Sequence, residues 1–141
     1  MLPSTWGKYG WNFCHLVTLA YPEKPTTEDM LNYRNFFDSL KHVLPCEKCR
    51  KNMNQHLQKY PLTDEVLSGK KKLIKWLIDL HNVVNYYTGK PMLSYTEAVN
   101  ELNKLTNPPT NKTDYFFNGM FVIAVLVVVF LIYYCWARKK N

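Results

Sequence analysis

Residues 26–49 read TTEDMLNYRNFFDSLKHVLPCEKC, and the fold follows from how this stretch is divided. Thr26-Thr27-Glu28-Asp29 has the form of a helix start, a capping hydroxyl followed by acidic first-turn residues. From there Tyr33, Phe36, Phe37, Leu40 and Leu44 follow the i, i+3, i+4, i+7 recurrence of one buried helical face. Pro45 closes that helix and suits the beginning of another, which carries Cys46, Cys49, Met53, His56 and Leu57 toward Tyr60-Pro61. Two amphipathic helices thus meet at a junction that holds a cysteine pair.

The same pattern extends outward in both directions. A first helix is expected from Ser4 or Thr5 to just before Pro22. A further helix runs from about Leu67 or Lys70 to Tyr87, burying Leu73, Ile74, Leu77, His81 and Val84, and Gly89 and Pro91 end it. Ser94-Tyr95-Thr96-Glu97 is a capping box that opens a short helix through Leu105. No segment alternates at period two, so a sheet is not expected, and the reading is a small all-α bundle.

A chain of 141 residues, 47% apolar and 15% aromatic, suffices for one compact domain, expected at 1–107. Part of the apolar content belongs elsewhere. Residues 116–136, FFNGMFVIAVLVVVFLIYYCW, carry no charge, and as a helix they would cover about 30 Å, the thickness of a bilayer core. This predicts a C-terminal transmembrane helix at 116–136, a polar linker at 108–115 opening with Pro108-Pro109, and a basic tail at 137–141. No secretory signal opens the sequence, which favours a tail-anchored protein with its domain in the cytosol. The basic tail argues for the opposite side by the positive-inside rule, but is short enough to translocate, and the Asn111-Lys112-Thr113 sequon would matter only there.

Net charge is +7, of which the tail residues Arg138, Lys139 and Lys140 carry three, leaving +4. The densest cluster, Lys70-Lys71-Lys72 with Lys75, reads as the solvated start of a helix, so nucleic acid is not an expected partner.

Chemistry concentrates at Pro45-Cys46-Glu47-Lys48-Cys49. Two cysteines at i and i+3 can close a disulfide, a helix N-terminus stabilises the thiolate formed on reduction, and Lys48 and Arg50 add positive charge. Other readings of the pair stand beside this one. A structural zinc site would recruit two more ligands, such as His42 and His56. A thioredoxin-like oxidoreductase would place the motif after a strand, and an inert pair needs nothing further.

A second group, His81-Asn82-Val83-Val84-Asn85, puts His81 and Asn85 on one helical face with Asn82 on its flank, and Lys90 follows the helix end. These groups suit a planar heteroaromatic, a ribose and a phosphate, or they simply satisfy a core. In a third group Trp11 and His15 again share a face, with Gly7 and Lys8 ahead and Tyr21-Pro22 beyond, which by itself reads as core packing.

Taken in order, these blocks resemble the Erv/ALR sulfhydryl oxidases over residues 6–93. The resemblance rests on Trp11, His15, Tyr21-Pro22, Pro45-Cys46-Glu47-Lys48-Cys49, His81-Asn82-Val83-Val84-Asn85 and Gly89-Lys90. It implies a four-helix bundle with a short fifth helix, holding FAD non-covalently in its mouth. Gly7, Lys8, Trp11 and His15 would line the flavin site, while His81, Asn82, Asn85 and Lys90 would hold the adenine and phosphate side. It further implies that Cys49 lies proximal to the flavin and Cys46 exchanges with substrate, and that oxygen takes the electrons and leaves as hydrogen peroxide. Protein thiols or a thioredoxin-like carrier would be the electron donors, no metal would be needed, and homodimerisation would use the first two helices.

Membrane-anchored members of this kind resemble those of large DNA viruses, which implies a virion or host membrane. The alternative function is a zinc-stabilised, membrane-anchored adaptor without turnover. Many members carry a structural disulfide between the fourth helix and the segment after it, and here Ile78 and residues 92–95 offer no cysteine. Nor is there a tail with a shuttle cysteine pair, so the electron donor must reach Cys46 directly. Cys14 is expected to be a buried, inert thiol, and Cys135 lies at the edge of the apolar run.

Overall fold

In the computed structural model, residues 1–107, 120–130, 132, 136 and 138 are described. Met1–Thr106 forms one compact unit, and the remainder forms a second. The first unit is all-helical: α1 (Pro3–Ala20), α2 (Thr27–Val43), α3 (Glu47–Lys59), α4 (Asp64–Leu67), α5 (Lys70–Tyr87) and α6 (Tyr95–Thr106). Helix α2 packs on α3, α1 on α5, α4 on α5, and α6 closes over α1 and α5.

Local chemistry sets the boundaries. Thr26 Oγ1 accepts the Asp29 N–H while Asp29 accepts the Thr26 N–H, a complete capping box that starts α2. Ser94 and Glu97 repeat the device at α6. Helix α5 ends in a Schellman motif: Gly89 adopts φ +67°, its N–H reaches the Tyr86 carbonyl, and the Lys90 N–H reaches the Asn85 carbonyl at 2.9 Å. Helix α4 was not anticipated as a separate element. Thr63 caps it, and Gly69 separates it from α5.

The main core joins Cys14, Tyr21, Phe37, Met53, Leu62, Leu67, Leu73, Trp76, Leu77 and Leu80. Of the α2 face read from the sequence, Phe37 is fully buried, while Tyr33, Phe36, Leu40 and Leu44 pack against this core partly covered. Two buried polar groups are answered inside it: the Tyr21 hydroxyl donates to the Leu67 carbonyl at 2.7 Å, and Trp76 Nε1 donates to the Tyr60 carbonyl at 3.1 Å. A smaller cluster of Ile78, Ala98 and Leu102 fastens α6 to α5.

The expected membrane span is corrected here. Residues 120–130 are helical, as are 132, 136 and 138. No helix among the described residues is long and apolar enough to cross a membrane, so the single-pass anchor and the membrane location derived from it are overturned. Residues 116–119, 131 and 133–135, which include Cys135, the linker at 108–115 with its sequon, and the tail apart from Arg138 lie outside the described residues.

Candidate functional site

The chemistry begins at the junction of α2 and α3. Cys46 is the N-cap of α3, and its sulfur accepts the Cys49 N–H at 3.2 Å. The two cysteines are joined in a disulfide with Cα atoms 5.0 Å apart, and both residues are half-buried. Cys46 leads from exposed Pro45, whereas Cys49 lies one turn before buried Met53. The Arg50 guanidinium donates to the Leu44 carbonyl at 2.6 Å, which holds a cation against the loop that carries the pair. A zinc site would need both sulfurs as free thiolates together with further ligands. They are bonded to each other, and no group of three or more His, Cys, Asp or Glu among the described residues is placed to hold a metal.

Helices α1, α5 and α6 enclose an open cavity of about 350 Å³. Helix α1 lends Lys8, Asn12 and His15, and α5 lends Ile78, His81, Asn82 and Asn85. The far wall comes from Leu93 and from the Ala98, Glu101, Leu102, Lys104 and Leu105 positions of α6. Five residues expected from the sequence, Lys8, His15, His81, Asn82 and Asn85, therefore share this cavity. Trp11 joins them indirectly by stacking on His81 with ring centroids 4.1 Å apart and planes 9° from parallel. Lys90, just past α5, acts on His81 through its charge. Gly7 and the cysteine pair are not on the cavity wall. Asn12, Glu101 and Lys104 were missed because nothing in their spacing distinguishes them from ordinary helix-surface positions.

His15 and His81 form the polar centre. Nε2 of His15 and Nδ1 of His81 lie 3.1 Å apart, so one ring donates and the other accepts. His15 is only 6% exposed, and burial lowers its pKa to about 4. His81 is also lowered to about 4, by burial first and then by the charges of His15 and Lys90. Both imidazoles are therefore neutral at pH 7, and Nδ1 of His15 is buried with no hydrogen-bond partner among the described residues. Asn82 behaves differently from its neighbours. Its amide nitrogen donates to the Leu93 carbonyl at 2.8 Å while its oxygen accepts the Leu93 N–H at 3.0 Å, tying the segment before α6 to α5.

Residues 8–104 match the Erv1 / Alr family. The chain belongs to this family. It is 52% identical to a probable FAD-linked sulfhydryl oxidase of Acanthamoeba polyphaga mimivirus, over 100% of this chain and 99% of that protein. It is 34% identical to a putative FAD-linked sulfhydryl oxidase of Invertebrate iridescent virus 6, over 68% of this chain and 90% of the relative. Among solved structures, the FAD binding domain of Erv1 from Saccharomyces cerevisiae superposes with a TM-score of 0.62 at 22% identity, covering 76% of this chain and 92% of that one. The Erv1 / Alr fold expected from the motifs is therefore the fold observed for residues 3–106, with the short α4 as an addition.

Proposed function

We propose that this Erv1 / Alr chain is an FAD-dependent thiol oxidase that forms disulfides in protein thiols and passes the electrons to oxygen, giving hydrogen peroxide. The observation that carries this reading is the Cys46–Cys49 disulfide closed across the first turn of α3. A substrate thiolate attacks Cys46 Sγ, the Cys46–Cys49 bond breaks, and its electron pair leaves on Cys49 Sγ. A second substrate thiolate attacks the sulfur now joined to Cys46, which completes the substrate disulfide and releases Cys46 as a thiolate. Cys46 is assigned the outer role because it precedes the helix beside an exposed proline, while Cys49 lies nearer the core. The Cys49 N–H and the positive end of α3 then face the released Cys46 sulfur.

The cavity residues fit a flavin nucleotide. An open, mostly apolar chamber with amide, imidazole and amine groups at its edge suits a heteroaromatic ring and its phosphates, and the orphan His15 Nδ1 is a buried polar atom still wanting a partner. Lys8, Trp11 and His15 would hold it from α1, with Gly7 leaving room beside Lys8, and His81, Asn85 and Lys90 from α5 and its C-terminal turn, with Asn82 fixing the wall at Leu93. When bound, FAD supplies the two-electron acceptor that returns the dithiol to the disulfide and the route from there to oxygen. Lys8 and Lys90 offer cations to the phosphates, while neutral His15 and His81 keep the chamber free of a buried charge.

Protein thiols, or a thioredoxin-like carrier, are the proposed electron donors. Homodimerisation is proposed through α1 and α2, supported by the exposed stripe of Tyr9, Phe13 and Leu16 on α1 with Leu31 on α2. The test is a purified preparation assayed for bound flavin, zinc, oxygen uptake and peroxide with dithiothreitol. The expected protein is yellow and turns over, and Cys49→Ser keeps the colour but loses turnover. A colourless protein that takes up no FAD refutes the proposal.

A further inference from the structure

Between residues 41 and 60 the chain carries five lysine or arginine side chains against one carboxylate, Glu47. The distribution is directional. Lys48, Lys51, Gln55 and Lys59 are all exposed and fall at i, i+3, i+7 and i+11, so they form one stripe about 16 Å long down the outside of α3. Lys51 bridges Glu47 at 2.8 Å, but both side chains are more than 70% exposed and the pair is easily exchanged. Lys48, Arg50 and Lys59 pair with no carboxylate among the described residues. The stripe begins at the redox disulfide. Beside that end lies an apolar shelf: Val43 is 66% exposed and Leu2 72%, with residue 1 placed against the Pro45 carbonyl.

We propose that the substrate of this enzyme is a protein thiol flanked by carboxylates, whose acidic segment lies along the Lys48–Lys59 stripe and delivers its sulfur to Cys46. The inference rests on the thiol-oxidase reading and adds the class of substrate to it. Charge complementarity and the position of the disulfide at the head of the stripe select this occupant. Neither a nucleic acid nor a lipid headgroup brings a sulfur to that position. Gln55 and Gln58, exposed among the amines, add donors for carboxylates and for backbone carbonyls.

The arrangement also activates its substrate. Carboxylates beside a cysteine raise the thiol pKa and leave little thiolate in solution. On docking, the amines offset those charges and the thiol releases its proton to water. The thiolate then bonds to Cys46 Sγ, the Cys46–Cys49 bond breaks, and the electron pair departs on Cys49 Sγ. The oxidant in this step is the enzyme disulfide itself. The second substrate thiolate displaces Cys46, so two electrons leave the substrate and two arrive on the cysteine pair.

The test uses the FAD-loaded full chain and three dithiol peptides of equal length, flanked by glutamate, by serine or by lysine. Oxygen uptake gives kcat/KM for each, normalised to dithiothreitol on the same preparation. The glutamate peptide is expected to exceed the serine peptide by about tenfold at low salt and by less than about twofold at ~0.5 M salt, where screening is short-ranged. Lys51→Glu with Lys59→Glu is expected to invert the ranking, so that the lysine peptide leads. Equal values for the three peptides while dithiothreitol turns over overturn the substrate assignment, as does indifference to the peptides together with tight binding of phosphatidylserine vesicles or a DNA oligonucleotide. If dithiothreitol itself is not oxidised, the underlying activity fails instead. Fluorescence anisotropy with serine-for-cysteine versions of the same peptides then still decides whether the acidic segment docks.

Discussion

Asn82→Ala separates a fastening role from a ligand-holding one. Asn82 makes two hydrogen bonds to Leu93, and nothing else ties that turn to α5 by side-chain hydrogen bonds among the described residues. At ~0.5–1.5 kcal/mol net per bond, and toward the lower end because both are solvent-exposed, the variant loses about 1–2 kcal/mol. For a unit of residues 1–106, with ~4–8 °C in Tm per kcal/mol, that is a fall of about 4–16 °C in the absence of FAD. Leu93 and α6 form the far wall of the cavity, so a loosened wall also weakens FAD binding, by about five- to thirtyfold if the docked wall is what binds. Asn85 supplies the contrast. Its side chain lines the same cavity and makes no hydrogen bond among the described residues, so Asn85→Ala should weaken FAD while lowering the apo Tm less than Asn82→Ala does. Thermal melts of both apo variants, flavin titrations, and amide exchange at Leu93 measure this. An Asn82→Ala protein that melts with wild type, or two variants that behave alike, refutes the reasoning.

Three other outcomes are expected. Folding stability should fall as pH drops from about 6.5 toward 4, because the unfolded chain takes up protons on His15 and His81 that the folded one refuses until about pH 4; urea unfolding at several pH values should show this slope, reduced in His15→Gln. Tyr21→Phe leaves the buried Leu67 carbonyl without its partner and should cost about 1–3 kcal/mol, read as a lowered Tm with unchanged turnover per folded molecule. Phe13→Glu should convert the proposed homodimer into a monomer in light scattering while leaving bound flavin in place, and a wild type that is itself monomeric sinks the interface assignment.

What was legible in the sequence was what local chemistry decides. Thr26 with Asp29, and Gly89 with the turn after α5, mark helix boundaries within a residue or two because they let local groups satisfy the helix ends, while Pro45 marks the end of α2 because it has no N–H to continue it. Helix α4 escaped because four residues are too short for periodicity, although Thr63-Asp64-Glu65 carried a cap followed by acids. Sequence spacing put Trp11 with His15 and His81 with Asn85, each on one face. It did not reveal that His15 meets His81 across 66 residues, nor that Trp11 stacks on His81. The α6 wall was invisible for the same reason, since Glu101 and Lys104 acquire their place only when Ile78, Ala98 and Leu102 dock. The apolar run at 116–136 suggested a membrane span from composition, and no helix among the described residues is long and apolar enough to be one.

The position of Cys46 links the capping of α3 to its chemistry. An N-cap side chain accepts a hydrogen bond from the third residue, a task usual for Ser, Thr, Asp or Asn, and here it falls to a disulfide sulfur, a weak acceptor. Reduction changes that. As a thiolate, the same sulfur becomes a full negative charge at the positive end of a thirteen-residue helix, which contributes ~0.3–1 kcal/mol from the helix terminus. Helix α3 is therefore better capped after the pair has accepted electrons than before. Stabilising the reduced form makes a disulfide the stronger oxidant, the logic by which low-pKa cysteine pairs draw electrons from ordinary thiols. A residue that looks like a poor cap in the oxidised protein thus contributes driving force to the second exchange, in which Cys46 is released as a thiolate facing the Cys49 backbone N–H.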